Sequence, residues 1–262
     1  MTMKCVYMIQ GRSLEVGTLL RAVPQGATAS VLTWDTPPPD DLNSSTTRTT
    51  YAPGTTWAEG RNLQLQDALQ VGSFDYFVFL DADVRFESGS LSVFESLLRT
   101  YGPDIGIPLD RIIVESGRFD SAARVQKPQA MDQALQAYSL KAVADGIAVP
   151  YVTDLDSMSW WYSCEINQFL SLTHYPKTTL QFNEVIIRNT GHQQDSKASR
   201  LEGSGYRGGL TRTGMKLARN LVEDRFGIPA TGLSLPPRQT RVLTKRLMGS
   251  TRRFASRTWG NS

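Results

Sequence analysis

Apolar residues recur along this 262-residue chain in two rhythms that alternate with one another. Residues 4–10 (KCVYMIQ) and 30–34 (SVLTW) are short runs of branched and aromatic side chains, the pattern of buried strands. Gly11-Arg12 breaks the first run, and Ser13 is placed to cap a helix reaching about residue 22. Strand, helix and strand in this order predict a parallel pair with a right-handed crossover. A helix follows over 57–71, with Leu63, Leu65, Ala68 and Leu69 partly matching one apolar face. Within 74–86 (FDYFVFLDADVRF), residues 76–80 read as a fully buried strand, parallel and central in a sheet. Leu91, Phe94, Leu97 and Leu98 then recur at three-four spacing, predicting a helix capped by Ser88 or Ser90 and reaching about residue 101.

Further strands are expected at 105–109, 147–152 and 179–188, and helices at 130–144, 159–172 and 213–226. Asp154, Asp156 or Ser157 is placed to cap the second of these helices, and Gly227 stands in the C′ position of the third. Residues 36–56, with the run Pro37-Pro38-Pro39-Asp40-Asp41, show no period and read as a surface excursion. Residues 110–128 are irregular, and 194–210 have the Gly-rich composition of a mobile loop. The whole predicts an α/β fold of two or three layers around a mixed, mainly parallel central sheet flanked by helices.

Composition narrows the class. A hydrophobic share of 40% and a charged share of 20% are those of a globular protein, and no apolar run approaches the ~18 residues needed to span a bilayer. The chain enters a strand at once, leaving no room for a signal peptide, and Cys5 and Cys164 sit in apolar contexts as reduced core residues do. Both features point to the cytoplasm. The net charge of +3 is uneven: residues 238–262 hold seven Lys/Arg and no acid, leaving 21 basic against 25 acidic residues in the body. An acidic body argues against a nucleic-acid-binding surface. No G-x-G-x-x-G follows the first strand and no G-x-x-x-x-G-K-[ST] loop occurs anywhere, which counts against a dinucleotide dehydrogenase and a P-loop enzyme.

The candidate chemistry begins where the central strand ends, at Asp81-Ala82-Asp83. Two carboxylates one residue apart at a strand's carboxyl end lie where open α/β sheets bind ligands. Like charges there call for a cation, and Mg²⁺ or Mn²⁺ carrying phosphate oxygens suits such ligands.

The order of further features resembles the GT-A glycosyltransferases, in particular their family-2-like branch. The matching features are a strand-helix start, Asp35 ending the second strand, Arg61-Asn62 on the helix before the Asp81-Ala82-Asp83 strand, Glu165 opening a later helix, and a strand ending in His192. The ordering spans about residues 4–195, and the helix-turn-strand spacing from Glu165 to His192 is its most specific part. The branch's Glu-Asp pair is here Cys164-Glu165-Ile166-Asn167, and the Gln-x-x-Arg-Trp block of processive members is missing. The resemblance implies metal-dependent, non-processive transfer of one sugar from a nucleotide-sugar to a hydroxyl. It also implies a catalytic domain over 1–237, with its donor side at about 1–86 and its acceptor side at about 87–237.

In that chemistry Asp83 and His192 suit the metal, His192 having as its alternative a hydrogen-bonded loop histidine. Asp81 would meet the ribose or a metal-bound water. Asp35 suits a nucleobase N–H or a ribose hydroxyl, or forms a turn. Arg61 suits a phosphate, Asp81, or open solvent. Glu165 is the candidate base for an inverting reaction, with Asp154 and Asp156 as rivals that would otherwise cap a helix. Trp160, Trp161 and Tyr162 offer aromatic faces to sugars, or fill a core. Lys197, Arg200, Arg207 and Arg212 give the Gly-rich stretch the charge of a lid over a diphosphate, or of a plain solvated loop. His174, at a helix end beside Tyr175, reads as a charge partner of that end. The rival readings are a nucleotidyltransferase, which wants a basic Gly-rich loop where Gly11-Arg12-Ser13 stands, and a binding protein for nucleotide or carbohydrate. The basic tail, residues 238–262, carries Leu243, Leu247 and Phe254 near one side of a helix and reads either as a peripheral membrane contact that would bring a lipid-linked or glycan acceptor within reach, or, since Gly249-Ser250-Thr251 interrupt the helix, as a disordered solubilising tail.

Overall fold

The computed structural model describes residues 3–117, 119–190 and 210–234; His192, the Gly-rich stretch apart from Arg212, and the basic tail lie outside them. The strands are β1 (Cys5–Gly11), β2 (Thr28–Thr33), β3 (Thr47–Tyr51), β4 (Tyr76–Asp81), β5 (Val84–Ser88), β6 (Ile105–Asp110), β7 (Val125–Gln126), β8 (Leu135–Ser139) and β9 (Thr179–Asn189). The helices are α1 (Ser13–Leu20), α2 (Trp57–Val71), α3 (Leu91–Tyr101), α4 (Arg111–Ser116), α5 (Leu140–Asp145), α6 (Trp161–His174) and α7 (Arg212–Phe226). One sheet takes all nine strands in the order β3-β2-β1-β4-β8-β6-β9-β5, with β7 paired to β9. β3, β2, β1, β4, β6 and β9 share one direction, while β8, β5 and β7 run against it. The fold is α/β with a mixed, mainly parallel central sheet flanked by helices.

β4 is central and buried, as its run of aromatic and branched residues requires. Val78 and Leu80 enter a core with α1 and α3, and Phe77 and Phe79 enter a second core with α2 and α5. A third cluster joins α6 to α7 through Tyr162, Ile166, Leu170, Met215, Ala218 and Val222. Helix ends follow their local chemistry. Thr56 and Glu59 form a reciprocal capping box on α2, Ser90 caps α3, and Gly227 closes α7 in the left-handed conformation. Among the described residues no helix is long and apolar enough to cross a membrane.

Five expectations are corrected. Ser13 is the first residue of α1 and not its cap; its N–H is received at 2.9 Å by the Asp35 carboxylate, reaching in from the end of β2. The excursion at 36–56 contains β3, an edge strand of threonines whose β-branched backbone preference outweighs its lack of apolar residues. The irregular 110–128 holds α4, capped by Asp110, and β7. The helix expected over 130–144 is strand β8 followed by short α5: β8 is buried on both faces, which hides its period. Residues 147–152 form no strand, because the Asn62 side chain takes the place of a neighbouring strand. Its amide donates to Tyr151 O at 2.8 Å and accepts from Tyr151 N at 2.7 Å.

Candidate active site at the carboxyl ends of β1 and β4

The chain leaves β1 toward β2 and β3, then returns to β4 on the other side, so the strand order reverses between β1 and β4. Crevices in open α/β sheets lie at such a switch point, beyond the carboxyl ends of the strands. Gly11, Asp35 and Asp81-Ala82-Asp83 all stand at that edge. The Asp-Ala-Asp turn is gripped from both sides: Asp81 N donates to Ala134 O and Ala82 N to Gln10 O, each at 2.8 Å. Gly11 is required here by close approach, since a Cβ on it would fall 2.2 Å from Ala82 Cβ.

Asp81 is bound inward. Its Oδ1 accepts from Arg61 Nη2 at 2.8 Å, from Trp57 Nε1 at 3.0 Å and from Gln10 Nε2 at 3.4 Å. Its Oδ2 accepts from Trp57 Nε1 at 3.2 Å. Arg61 is wholly buried. Of the partners open to it in the sequence, the structure gives it Asp81, and it reaches a ligand only through that carboxylate. Its guanidinium lies 4.1 Å from the centroid of the Trp57 ring and donates to the Tyr151 hydroxyl at 3.1 Å. Burial works against its charge, but Tyr151 and Asp81 outweigh burial and hold it still more firmly protonated. Behind it, the Tyr151 and Tyr138 hydroxyls meet at Gln136 Oε1, at 2.7 and 2.8 Å, forming a polar strand of contacts through the core.

Asp83 is half-buried, and its carbonyl oxygen receives both the N–H and the hydroxyl of Thr190, at 3.3 and 2.7 Å. That ties the Asp-Ala-Asp turn to the end of β9, two residues before His192, which lies outside the described residues. Among the described residues no three His, Cys, Asp or Glu side chains form a metal-holding group. Asp83 nevertheless fits a divalent ion in one respect: Mg²⁺-type sites commonly use one or two carboxylates and take their remaining ligands from water and substrate phosphates.

The segment from Tyr151 to α6 is fastened onto α2, and this brings α6 to the site. Besides the Asn62 bonds, Asp156 accepts from the hydroxyls of both Thr56 and Ser163. Burial pushes the Asp156 carboxyl up, the two hydroxyls pull it back, and Glu59 and Asp154 add to the rise. Asp154 is exposed and 3.5 Å from Arg225 of α7. Asp156 thus serves as a tie between two helices and Asp154 as a surface ion-pair partner. Trp160 and Trp161 stack at 4.2 Å, and Trp160 lies 5.6 Å from Trp57, which in turn meets Tyr151 edge-on at 5.1 Å. Both indoles are part-buried, whereas Tyr162 is core. Glu165 is buried on α6. Its neighbour Cys164 is buried and its thiol is pushed well up by burial; Arg61 opposes that rise, while Glu165, Asp81 and Asp132 add to it.

Asp132 is a residue that the sequence reading missed. It precedes β8, accepts from Ala134 N at 2.7 Å, and so sits beside the backbone that holds Asp81. Trp57 is the other, as the second donor to Asp81. Asp35 is exposed and occupied with the start of α1. Burial alone would push its carboxyl up, but the N–H groups of Ser13 and Thr36, its own N–H and the charge of Arg12 outweigh that and hold it low. His174 is exposed at the end of α6, against the ring of Tyr175 at 4.8 Å.

The sequence matches no family model and no curated protein. Solved structures with a similar course of the chain include A197 from STIV, with a TM-score of 0.43 and 12% identity over 70% of this chain and 83% of that one. S. aureus TarS 1-349 in complex with UDP gives 0.45 and 10%, over 87% and 73%. CMP:2-keto-3-deoxy-manno-octonic acid synthetase complexed with CTP gives 0.43 and 12%, over 76% and 98%. At these scores any functional reading rests on the site itself.

Proposed function

We propose that this chain is a metal-dependent glycosyltransferase that moves one sugar from a nucleotide-sugar donor to a hydroxyl of a glycan or lipid-linked acceptor, with inversion at the anomeric carbon. The observation that carries the reading is the division of labour in Asp81-Ala82-Asp83 at the switch point. Asp81 is neutralised from inside by Arg61, and Asp83 follows it at the same sheet edge, its backbone tied to the end of β9. Asp83, with His192, would hold Mn²⁺ or Mg²⁺, which when bound offsets negative charge developing on the leaving diphosphate.

The chain's own residues supply the rest. Asp81, its Oδ1 saturated, keeps Oδ2 to accept from a donor hydroxyl. Asp35 stands at the far side of the same edge, toward the nucleoside. Trp160 and Trp161 present part-open stacked rings that suit the apolar face of an acceptor sugar. Glu165 takes the proton of the acceptor hydroxyl as that oxygen bonds to the anomeric carbon. The carbon's bond to the diphosphate breaks, and its electron pair leaves with the diphosphate. Nucleotidyl transfer is disfavoured by the start of α1: its first N–H already serves Asp35 in place of a phosphate, and Gly11 is consumed by packing on Ala82.

The test is incubation of the protein with Mn²⁺, a hydroxyl acceptor mixture and a panel of nucleotide-sugars. Release of nucleoside diphosphate supports transfer. Pyrophosphate release would assign nucleotidyl transfer, and silence across the panel would leave a binding protein.

A further inference from the structure

We propose that Trp57 is the positioning residue of this site, orienting the Asp81 carboxylate toward the nucleotide; this rests on the nucleotide-sugar reading above. Trp57 is the first residue of α2 and stands one turn before Arg61. Its part-buried ring has three aromatic or cationic neighbours. The Arg61 guanidinium covers one face at 4.1 Å, and Tyr151 and Trp160 approach at 5.1 and 5.6 Å. Its carbonyl accepts from Gln10 Nε2 at 3.2 Å. These contacts set the ring so that its N–H is aimed at the Asp81 carboxylate.

The two oxygens of Asp81 depend on Trp57 unequally. Oδ1 keeps Arg61 and Gln10 if the indole N–H is removed, whereas Trp57 is the donor that reaches Oδ2. Arg61 and Gln10 hold the carboxylate at one oxygen and leave Oδ2 without a donor. The indole N–H spans both oxygens at 3.0 and 3.2 Å and supplies that donor. A carboxylate so fixed meets a ribose hydroxyl or a metal-bound water without first being ordered, which is the advantage of preorganisation.

Trp57→Phe keeps a ring over Arg61 and removes the donor. Full-length protein is titrated calorimetrically with UDP, GDP and CDP, each with Mn²⁺, and its melting is followed in parallel. The expected result is an affinity for the binding nucleotide weaker by about tenfold, the scale of one charge-assisted hydrogen bond. The same substitution is then made with Asp81→Ala, or with Asp81→Asn should the alanine variant not fold. In that background Trp57→Phe changes affinity less than twofold, because the effect passes through Asp81. An equal loss in both backgrounds, or a loss under twofold in the parent, overturns the assignment. If the parent protein binds none of the three nucleotides, the nucleotide reading itself falls, which is a different result.

Discussion

Removing the Arg61 cation, by Arg61→Met, tests the electrostatic core of the site. Arg61 is 0% exposed and the Asp81 side chain 18%. Breaking a buried pair by deleting one partner destabilises a protein by about 3–5 kcal/mol, because the other charge is left uncompensated. Two features here lower that figure. Trp57 still donates to both oxygens of Asp81, and Arg61 Nε has no acceptor, so the methionine also removes an unsatisfied buried donor worth about 1 kcal/mol. Loss of the Arg61–Tyr151 bond is minor, since the Tyr151 hydroxyl keeps Gln136 at 2.7 Å. The expected destabilisation is about 3 kcal/mol by urea unfolding, or a fall in Tm of about 6–12 °C for a chain of this size. Arg61→Met with Asp81→Asn should recover at least half of the loss, because no buried charge then lacks a partner. A single variant within about 1 kcal/mol of the parent would refute the claim that this pair is internally compensated. Failure of the double variant to recover would place the loss in packing over Trp57 and Phe79 instead.

Four further outcomes follow from other parts of the site. Asp83→Ala should abolish turnover and Mn²⁺-dependent nucleotide binding while leaving the circular dichroism spectrum unchanged; turnover by this variant in EDTA would end the metal assignment. Glu165→Gln should keep donor affinity and lose about 10²–10⁴ in transfer rate, measured as nucleotide release, and a loss under about threefold would return the role to another carboxylate. Gly11→Ala should destabilise by about 1–3 kcal/mol in urea and weaken nucleotide binding, since the added methyl meets Ala82 at 2.2 Å and pushes on the Asp-Ala-Asp turn. Folding raises the Asp156 pKa above 3.8, so the native state holds that proton more tightly than the unfolded chain and stability falls as pH rises through the shifted value. Asp156→Asn should therefore raise Tm at pH 7 and flatten its dependence on pH in the acid range; an unchanged profile would show that burial there is offset by the two hydroxyls.

What was legible in the sequence was what local pattern decides. β4 and α3 announce themselves by composition and period, and Ser90 and Gly227 by capping chemistry. What was hidden depends on neighbours. Nothing in Thr47–Tyr51 is apolar enough to mark a strand, and β2 supplies the reason that it is one. Residues 147–152 read as a strand because they are buried, but a side chain and not a strand satisfies them. The burial of Arg61 could have been read. Ala58, Arg61, Leu65 and Ala68 are spaced by three and four and form the buried stripe of α2, while Leu63 and Leu69 face outward at 40% and 49% exposure. An arginine on that stripe requires a buried anionic partner, and Asp81 was the carboxylate already placed at the edge of the sheet.

That pairing changes the argument for a metal. From the sequence, two adjacent carboxylates at a buried strand end demanded an external cation. In the fold the inner carboxylate has a cation of its own, carried on α2 and covered by Trp57. The charge of Asp81 therefore no longer calls for an external cation. A single carboxylate among the described residues makes a weak site by itself, and phosphate oxygens are the natural source of the missing ligands. The metal and the diphosphate would then complete each other's binding at Asp83, with Asp81 serving as a fixed acceptor beside them. The Arg61–Asp81 pair favours this arrangement over a preformed metal cage, because one of the two carboxylates such a cage would use is already committed on its Oδ1 side to three protein donors.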